Sequence, residues 1–309
     1  MPVIFKKDIE ITQEELEKLI ENKKKELKEI EKVGKGSKYI EELSDLALMQ
    51  LELGDYDDAE KNYLICLKHF KKQRDKLGEG AVYGILGTLF LKKGDYNKAI
   101  DNYNKALDIY QERNQFQEII TCLKAIGQCY LKLRNYDEAS DYFLDCSQKC
   151  SEGNDIYGLL DCLENLIFIH EKQQRWDVVY ELYKKTLEAF EKLNDPKGII
   201  ISHFNLGILE QKNQNYDAAL LHFKKGTNKA IDSNYAELII KGLGYVAQTL
   251  IHIGKLKEAK DEYIKALHLS KKIGAKNAEL QIIVMLKSLG LNDKNIEEEL
   301  KKYRNRRKK

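Results

Sequence analysis

The sequence has little proline and no long hydrophobic run. Only 2 of its 309 residues are proline, so helices can continue without interruption and no proline-rich linker is expected. No stretch approaches the roughly 20 apolar residues that a transmembrane helix needs. The first residues do not form a signal peptide, because no apolar core precedes a small-residue cleavage site. We therefore expect a soluble, cytoplasmic protein with no membrane span.

An excess of one charge is also missing. Lys+Arg number 52 against 50 Asp+Glu, a formal net charge of +2, so no strong overall field would attract nucleic acid. The exception is local, because seven of the last nine residues (301–309) are basic. We interpret this basic tail as a solubilising end, with nuclear targeting or the binding of an anion, such as a weak contact with nucleic acid, as the alternatives. Nucleic acid is otherwise not an expected partner.

Motifs of metal sites and of enzymes are absent. The six cysteines include no CxxC pair, and the six histidines have no ligand spacing with them. We therefore expect buried, reduced cysteines, no bound metal and no cofactor. No nucleophile elbow or dinucleotide fingerprint occurs, and Gly78 and Gly80 are interpreted as part of a turn. The chain is predicted not to be an enzyme.

The strongest positive feature is a repeat with a period of 40 residues. A tyrosine or phenylalanine follows each anchor residue by four positions, and a small or aliphatic residue precedes it by twelve. The six anchors are Ala59, Ala99, Ala139, Val179, Ala219 and Ala259. Six repeats in register, without an insertion, indicate an array in which neighbouring repeats share one core.

Each repeat is predicted to contain two amphipathic helices. In the second repeat the first helix should end at Gly94, and the second should begin at Asp95, a suitable N-cap. Small residues are expected where two helices approach closely, with aromatic side chains filling the space beside them. Thr12 and Glu15 form a capping box that predicts the start of an N-terminal helix.

The spacing of these residues resembles the tetratricopeptide repeat (TPR), as residues 86–107 (LGTLFLKKGDYNKAIDNYNKAL) illustrate. The resemblance implies an all-α, right-handed superhelical solenoid of six helix-turn-helix repeats. We place the array at residues 37–289, an N-terminal capping helix within 1–36, and a C-terminal helix with the basic tail at 290–309. A 40-residue period is similar to the repeats of cell-polarity adaptors, kinesin light chain-like cargo binders and bacterial peptide sensors.

In TPR proteins the first helices of the repeats line a concave groove that holds a peptide of the partner. Asn165 and Asn205 would bond the amide groups of an extended peptide. A ladder of lysines, one in each of four consecutive repeats, would favour an acidic segment. The candidate peptide-binding residues are Lys92, Lys124, Gln128, Lys132, Asn165, Phe168, Lys172, Asn205, Lys212, Lys241, Tyr245 and Gln248.

The clamp of co-chaperone TPRs offers a comparison. Lys124 and Asn165 resemble two of its members, but Ile201 and Asn205 stand where it has basic residues. Chaperone C-termini are therefore not expected partners. We expect an adaptor or scaffold that binds an acidic or extended peptide segment of another protein. Two alternatives stay open: a structural subunit of a larger assembly, and a peptide-sensing regulator.

Overall fold

The computed structural model describes residues 12–306 as a succession of α-helices. They are α1 (Gln13–Val33), α2 (Ser37–Leu53), α3 (Tyr56–Gln73), α4 (Lys76–Lys93), α5 (Tyr96–Glu112), α6 (Phe116–Leu133), α7 (Tyr136–Glu152), α8 (Ile156–Lys172), α9 (Trp176–Lys192), α10 (Pro196–Lys212), α11 (Tyr216–Asp232), α12 (Ala236–His252), α13 (Leu256–Ile273), α14 (Lys276–Ser288) and α15 (Asp293–Arg306). The all-α prediction is confirmed. Residues 307–309 of the basic tail lie outside the described part of the chain.

Two compact modules divide between Gly158 and Leu159. In the N-terminal module, each helix from α1 to α6 packs against the helix that follows it. In the C-terminal module the helices from α9 to α14 pack in the same way, and α15 rests on α13 and α14. Packing between neighbours in sequence is what a chain of two-helix repeats requires. None of the described helices combines the length and the apolar character needed to cross a membrane.

The helices end at residues in the left-handed conformation, and these residues recur every twenty positions from Gly54 to Gly274. Gly94 is one of them, with φ of +82°, a conformation that glycine adopts without steric cost. The next residue, Asp95, accepts a hydrogen bond on its side chain from the Lys98 N–H. The predicted helix end at Gly94 and the predicted N-cap at Asp95 are therefore confirmed, as is the capping box of Thr12 and Glu15.

Glycine in a first helix allows an aromatic ring of the second helix to lie on the backbone. A Cβ atom on Gly87 would lie 2.7 Å from the ring of Tyr103, and one on Gly207 would lie 2.6 Å from the ring of Phe223. All six anchor residues of the second helices have no exposed surface. The prediction that small residues stand where helices approach closely is confirmed.

Gly78 and Gly80 do not form a turn, and that interpretation was wrong. Both lie in the first turns of α4. Glycine occurs at these two positions because neighbouring helices pack closely there, not because the chain reverses direction. A Cβ atom on Gly78 would lie 2.4 Å from the ring of Phe70, and one on Gly80 would lie 3.1 Å from the side chain of Ile109. The start of the helix is thus pressed against its two neighbours.

Candidate functional site

The first helix of each repeat has one face that is turned away from the second helix. In α6, Ile126 and Gly127 are buried, and Gly127 packs on the ring of Phe143 in α7. Gln128 and Lys132, on the other side of α6, are exposed. We call this side of the first helices the inner face. All twelve candidate residues lie on first helices, namely α4, α6, α8, α10 and α12.

On the inner face of the N-terminal module, Lys92, the first lysine of the ladder, has an acidic neighbour. The Nζ atom of Lys92 lies 3.0 Å from an oxygen of Glu52, which stands at the equivalent place in the preceding repeat. The charge of Lys92 is therefore balanced within the module. Lys124 is half-buried, whereas Gln128 and Lys132 are exposed. The four candidates of this module thus differ in how far they are available to a ligand.

Aromatic rings accompany the ladder lysines of the C-terminal module. The Nζ atom of Lys212 lies 4.9 Å from the centre of the Trp176 ring, and that of Lys172 lies 5.4 Å from the ring of Phe168. A cation over an exposed ring is stabilised by about 0.5–1 kcal/mol. Lys212 and Trp176 belong to neighbouring repeats, 36 residues apart. His252 and Tyr216 are also 36 residues apart, and their rings stack with a centroid distance of 5.0 Å.

The two candidate asparagines are both half-buried but differ in their hydrogen bonds. The side-chain amide of Asn165 donates to the backbone carbonyl of Asp161, at 2.8 Å, within its own helix. Part of its capacity to bind a peptide is therefore already used. Beside the asparagines the inner face is apolar, because Phe168 is 45% exposed and Ile201 is 40% exposed. Exposed side chains of this kind can contact an apolar ligand.

The C-terminal inner face has a cleft of about 420 Å³ between α12 and α14, with α13 beneath it. It brings together three candidate residues, Lys241, Tyr245 and Gln248. Sequence reasoning missed the other lining residues, which are Glu237, Ile240 and Gly244 of α12, Tyr263 of α13, and Ala278, Gln281, Ile282 and Met285 of α14. An adjoining cleft of about 520 Å³ is lined by residues that include Glu237 and Lys276.

Tyr245 is held rigidly in the wall of this cleft. Its ring stacks on Phe223 with a centroid distance of 4.8 Å and meets Phe204 edge-on at 5.4 Å. The Nζ atom of Lys241 lies 5.7 Å from the centre of the same ring. Gly244 lies between these two residues, and a Cβ atom placed on it would meet no atom within 4 Å. The cleft is therefore open directly above α12.

Tyr263 contributes a buried polar group to the cleft. The residue is 2% exposed, and its hydroxyl group has no hydrogen-bond partner among the described residues. Burial raises the pKa of this hydroxyl group, so it remains neutral and able to donate at neutral pH. Leaving a buried hydroxyl group unpaired costs about 1–3 kcal/mol. The wall of the cleft thus includes a residue whose buried hydroxyl group has unused bonding capacity.

The titratable groups in the interior do not resemble a catalytic centre. All six cysteines are buried, as expected, and burial raises the pKa of Cys66 and of Cys122 to about 12. Such thiols stay protonated at neutral pH and are poor nucleophiles. His203 and His222 contact each other through their Nδ1 atoms, 3.2 Å apart. Burial, and then the neighbouring His222, lower the pKa of His203 to about 4, so this pair is neutral too.

Comparison with known proteins identifies the repeats. One family model described as tetratricopeptide repeat matches residues 40–112 and 159–230, and a second model of the same description matches residues 125–148. Together these matches cover more than half of the chain. No curated protein sequence matches it. TPR repeats bind other proteins or peptides, and the TPR fold is typically non-catalytic.

Solved structures resemble the chain at low sequence identity. The C-terminal part of a TPR repeat-containing protein from Cytophaga hutchinsonii has a TM-score of 0.54 and 16% identity over 84% of this chain and 96% of that one. BtubC (BKLC) from P. vanneervenii has a TM-score of 0.52 and 19% identity over 71% of this chain and 92% of that one. These likenesses show a shared fold.

Proposed function

Because the chain belongs to the tetratricopeptide repeat family, we propose that it is a non-enzymatic adaptor that binds a peptide segment of another protein on the inner face of its C-terminal module. The observation that carries the proposal is the cleft between α12 and α14, which contains Lys241, Tyr245 and Gln248. Concave sites with apolar walls and a few polar groups are the usual form of a ligand site.

The remainder of the C-terminal inner face supports a peptide rather than a small molecule. Phe168 and Ile201 are exposed on α8 and α10, on first helices of the same module that precede the cleft. An extended peptide would contact these side chains and Asn205 in addition to the cleft. Several weak contacts along one chain supply affinity that a single shallow cleft does not. The eight candidate residues of the C-terminal module form the proposed binding surface, and the four of the N-terminal module stay separate candidates.

A binding role without catalysis is also supported by the chemistry of the interior. Burial keeps the thiols of Cys66 and Cys122 protonated at neutral pH, and the pair of His203 and His222 is neutral. The described lining of the cleft presents amides, aromatic rings, one lysine and the carboxylate of Glu237, which recognise ligands but do not by themselves form a catalytic arrangement. We propose a cytoplasmic location, where buried thiols such as those of Cys66 and Cys122 stay reduced.

The experiment that tests the proposal is a peptide-display selection on the whole protein with a variant that fills the cleft. Gly244→Gln places a long, uncharged side chain into the cleft without a clash at the Cβ atom. Gly84→Gln is the matched control, because Gly84 stands at the same repeat position in α4 and its Cβ atom would also meet open space. Both substitutions replace glycine with a better helix former.

We expect peptides that bind the unmodified protein and Gly84→Gln but not Gly244→Gln. Peptides that bind all three proteins equally would contradict binding at the cleft. Failure to recover any peptide would contradict the adaptor proposal itself and would favour the alternative of a structural subunit, which recognises only a folded partner. Co-purification of a stable complex with the whole protein would then be the next measurement.

A further inference from the structure

We propose that the hydroxyl group of Tyr263 donates a hydrogen bond to the bound peptide, and that the peptide places an apolar side chain in the α12–α14 cleft beside an acidic side chain that pairs with Lys241. This inference rests on the proposed function and specifies the ligand of the same site. It arises from the unpaired, buried hydroxyl group in the wall of the cleft.

Comparison among the repeats shows where this hydroxyl group points. Tyr103 is the equivalent residue of the second repeat, and its hydroxyl group lies 2.9 Å from that of Thr88 on the inner face of α4. In the fourth repeat the equivalent Tyr183 donates to Glu171 in α8, at 3.3 Å. At these two of the four tyrosine positions the hydroxyl group reaches the inner face and bonds a first-helix side chain, whereas Tyr63 in the first repeat, like Tyr263, has no hydrogen-bond partner among the described residues.

The sixth repeat supplies no such partner from within the described chain. Gln248 occupies the position of Thr88 and lines the cleft with Tyr263, yet no hydrogen bond joins them. Met285 borders the same space, and it is 38% exposed. Methionine is unbranched and adaptable, so the proposal requires Met285 to move aside when the peptide binds. A carbonyl oxygen of the peptide would then accept a hydrogen bond from the hydroxyl group of Tyr263.

Lys241 gives the ligand its charge. Its side chain is exposed at the edge of the cleft and has no ion pair among the described residues. Glu237, one turn earlier, lines both this cleft and the adjoining one, where Lys276 is also present. The two clefts together therefore carry one more basic than acidic side chain. Ile282, Tyr245 and Met285 provide the apolar surface, so the complementary segment is apolar with an acidic neighbour.

The test uses synthetic peptides recovered in the display selection and two matched variants of the whole protein. Tyr263→Phe removes the hydroxyl group but keeps the ring, and phenylalanine occupies this position naturally at Phe143 and Phe223. Tyr63→Phe is the control, because Tyr63 also has a buried hydroxyl group without a partner among the described residues and does not line the cleft. Loss of one hydrogen bond should weaken binding about 3- to 10-fold in Tyr263→Phe and leave it unchanged in Tyr63→Phe.

Equal affinity of Tyr263→Phe and the unmodified protein would overturn the role of the hydroxyl group, while the cleft-blocking effect of Gly244→Gln would still support the adaptor function.

The predicted acidic residue of the peptide is tested separately, with one change in the peptide and one in the protein. Replacing the acidic residue of the peptide by its amide should weaken binding, and Lys241→Gln should abolish the difference between the two peptides. If amidating the C-terminus of the peptide weakens binding instead, the ligand is a free carboxylate, and the proposed acidic side chain is wrong.

Discussion

Gly244 and Gly207 both lie in first helices, but they should respond differently to replacement by alanine. The added methyl group should be tolerated at Gly244, on the inner face, and not at Gly207, beneath an aromatic ring. A Cβ atom at position 207 would lie 2.6 Å from the ring of Phe223. That ring cannot simply withdraw, because Tyr245 stacks on it with a centroid distance of 4.8 Å. A Cβ atom at position 244 would instead meet no atom within 4 Å.

The expected magnitudes follow from two opposing effects. Replacing glycine by alanine inside a helix stabilises it by about 1 kcal/mol. Overpacking a full core costs about 1–3 kcal/mol. Gly244→Ala should therefore raise the free energy of unfolding by about 0.5–1 kcal/mol, and Gly207→Ala should lower it by about 1–2 kcal/mol. Urea unfolding followed by the circular dichroism of the helices measures both.

The result that would refute this reasoning is a shift of the same sign and similar size in the two variants. A double variant provides a further check. Gly207→Ala combined with Phe223→Leu replaces the rigid ring with a smaller side chain, so the penalty for the added methyl group should shrink. A coupling free energy near zero between the two substitutions would mean that the contact between them does not cause the destabilisation.

Two further outcomes concern the turns and the buried histidines. Gln214 is held at φ of +63°, so Gln214→Gly should raise the free energy of unfolding by about 0.5–1 kcal/mol in urea titrations, and an unchanged midpoint would contradict the strain. The pKa of His203 is lowered to about 4 by burial, His222 and Lys225, and that of His222 is lowered although Glu210 opposes the shift. The folded state therefore favours the neutral forms, and the free energy of unfolding should fall as pH decreases below about 6.5. At pH 5 the loss for His203 alone should be about 2 kcal/mol. Urea titrations at about pH 6.5 and at pH 5 measure the loss, which His203→Gln should remove.

The periodic part of the structure could be predicted from the sequence because the repeats constrain one another. The anchors, the helix end at Gly94 and the N-cap at Asp95 recur at fixed spacing, so each repeat supports the assignment of the next. Gly78 and Gly80 were misinterpreted because glycine is both a turn residue and a residue of close contact. Glycine is needed at these positions because the ring of Phe70 and the side chain of Ile109 lie close to them. Both side chains belong to other helices, so the local sequence does not indicate the contact.

The inner face was harder to predict because the contacts of its side chains are not periodic. Lys92 and Lys212 share a repeat position, yet one pairs with Glu52 and the other lies over Trp176. Their partners differ because the preceding repeats differ. A comparison of positions 36 and 40 residues apart would have indicated both contacts. Tyr263 was absent from the expected site, since a tyrosine at that position is indistinguishable in sequence from the core aromatics of the other repeats.

Residues that build the repeat and residues that select a ligand mostly occupy different sides of the same helix, and Tyr245 is an exception. Its ring packs on Phe204 and Phe223 in the core while it also lines the cleft. A substitution at Tyr245 would therefore change stability and binding together and would not show where a peptide sits. Gly244 and Lys241 touch the cleft without supporting the core, so changes at these two positions separate recognition from folding.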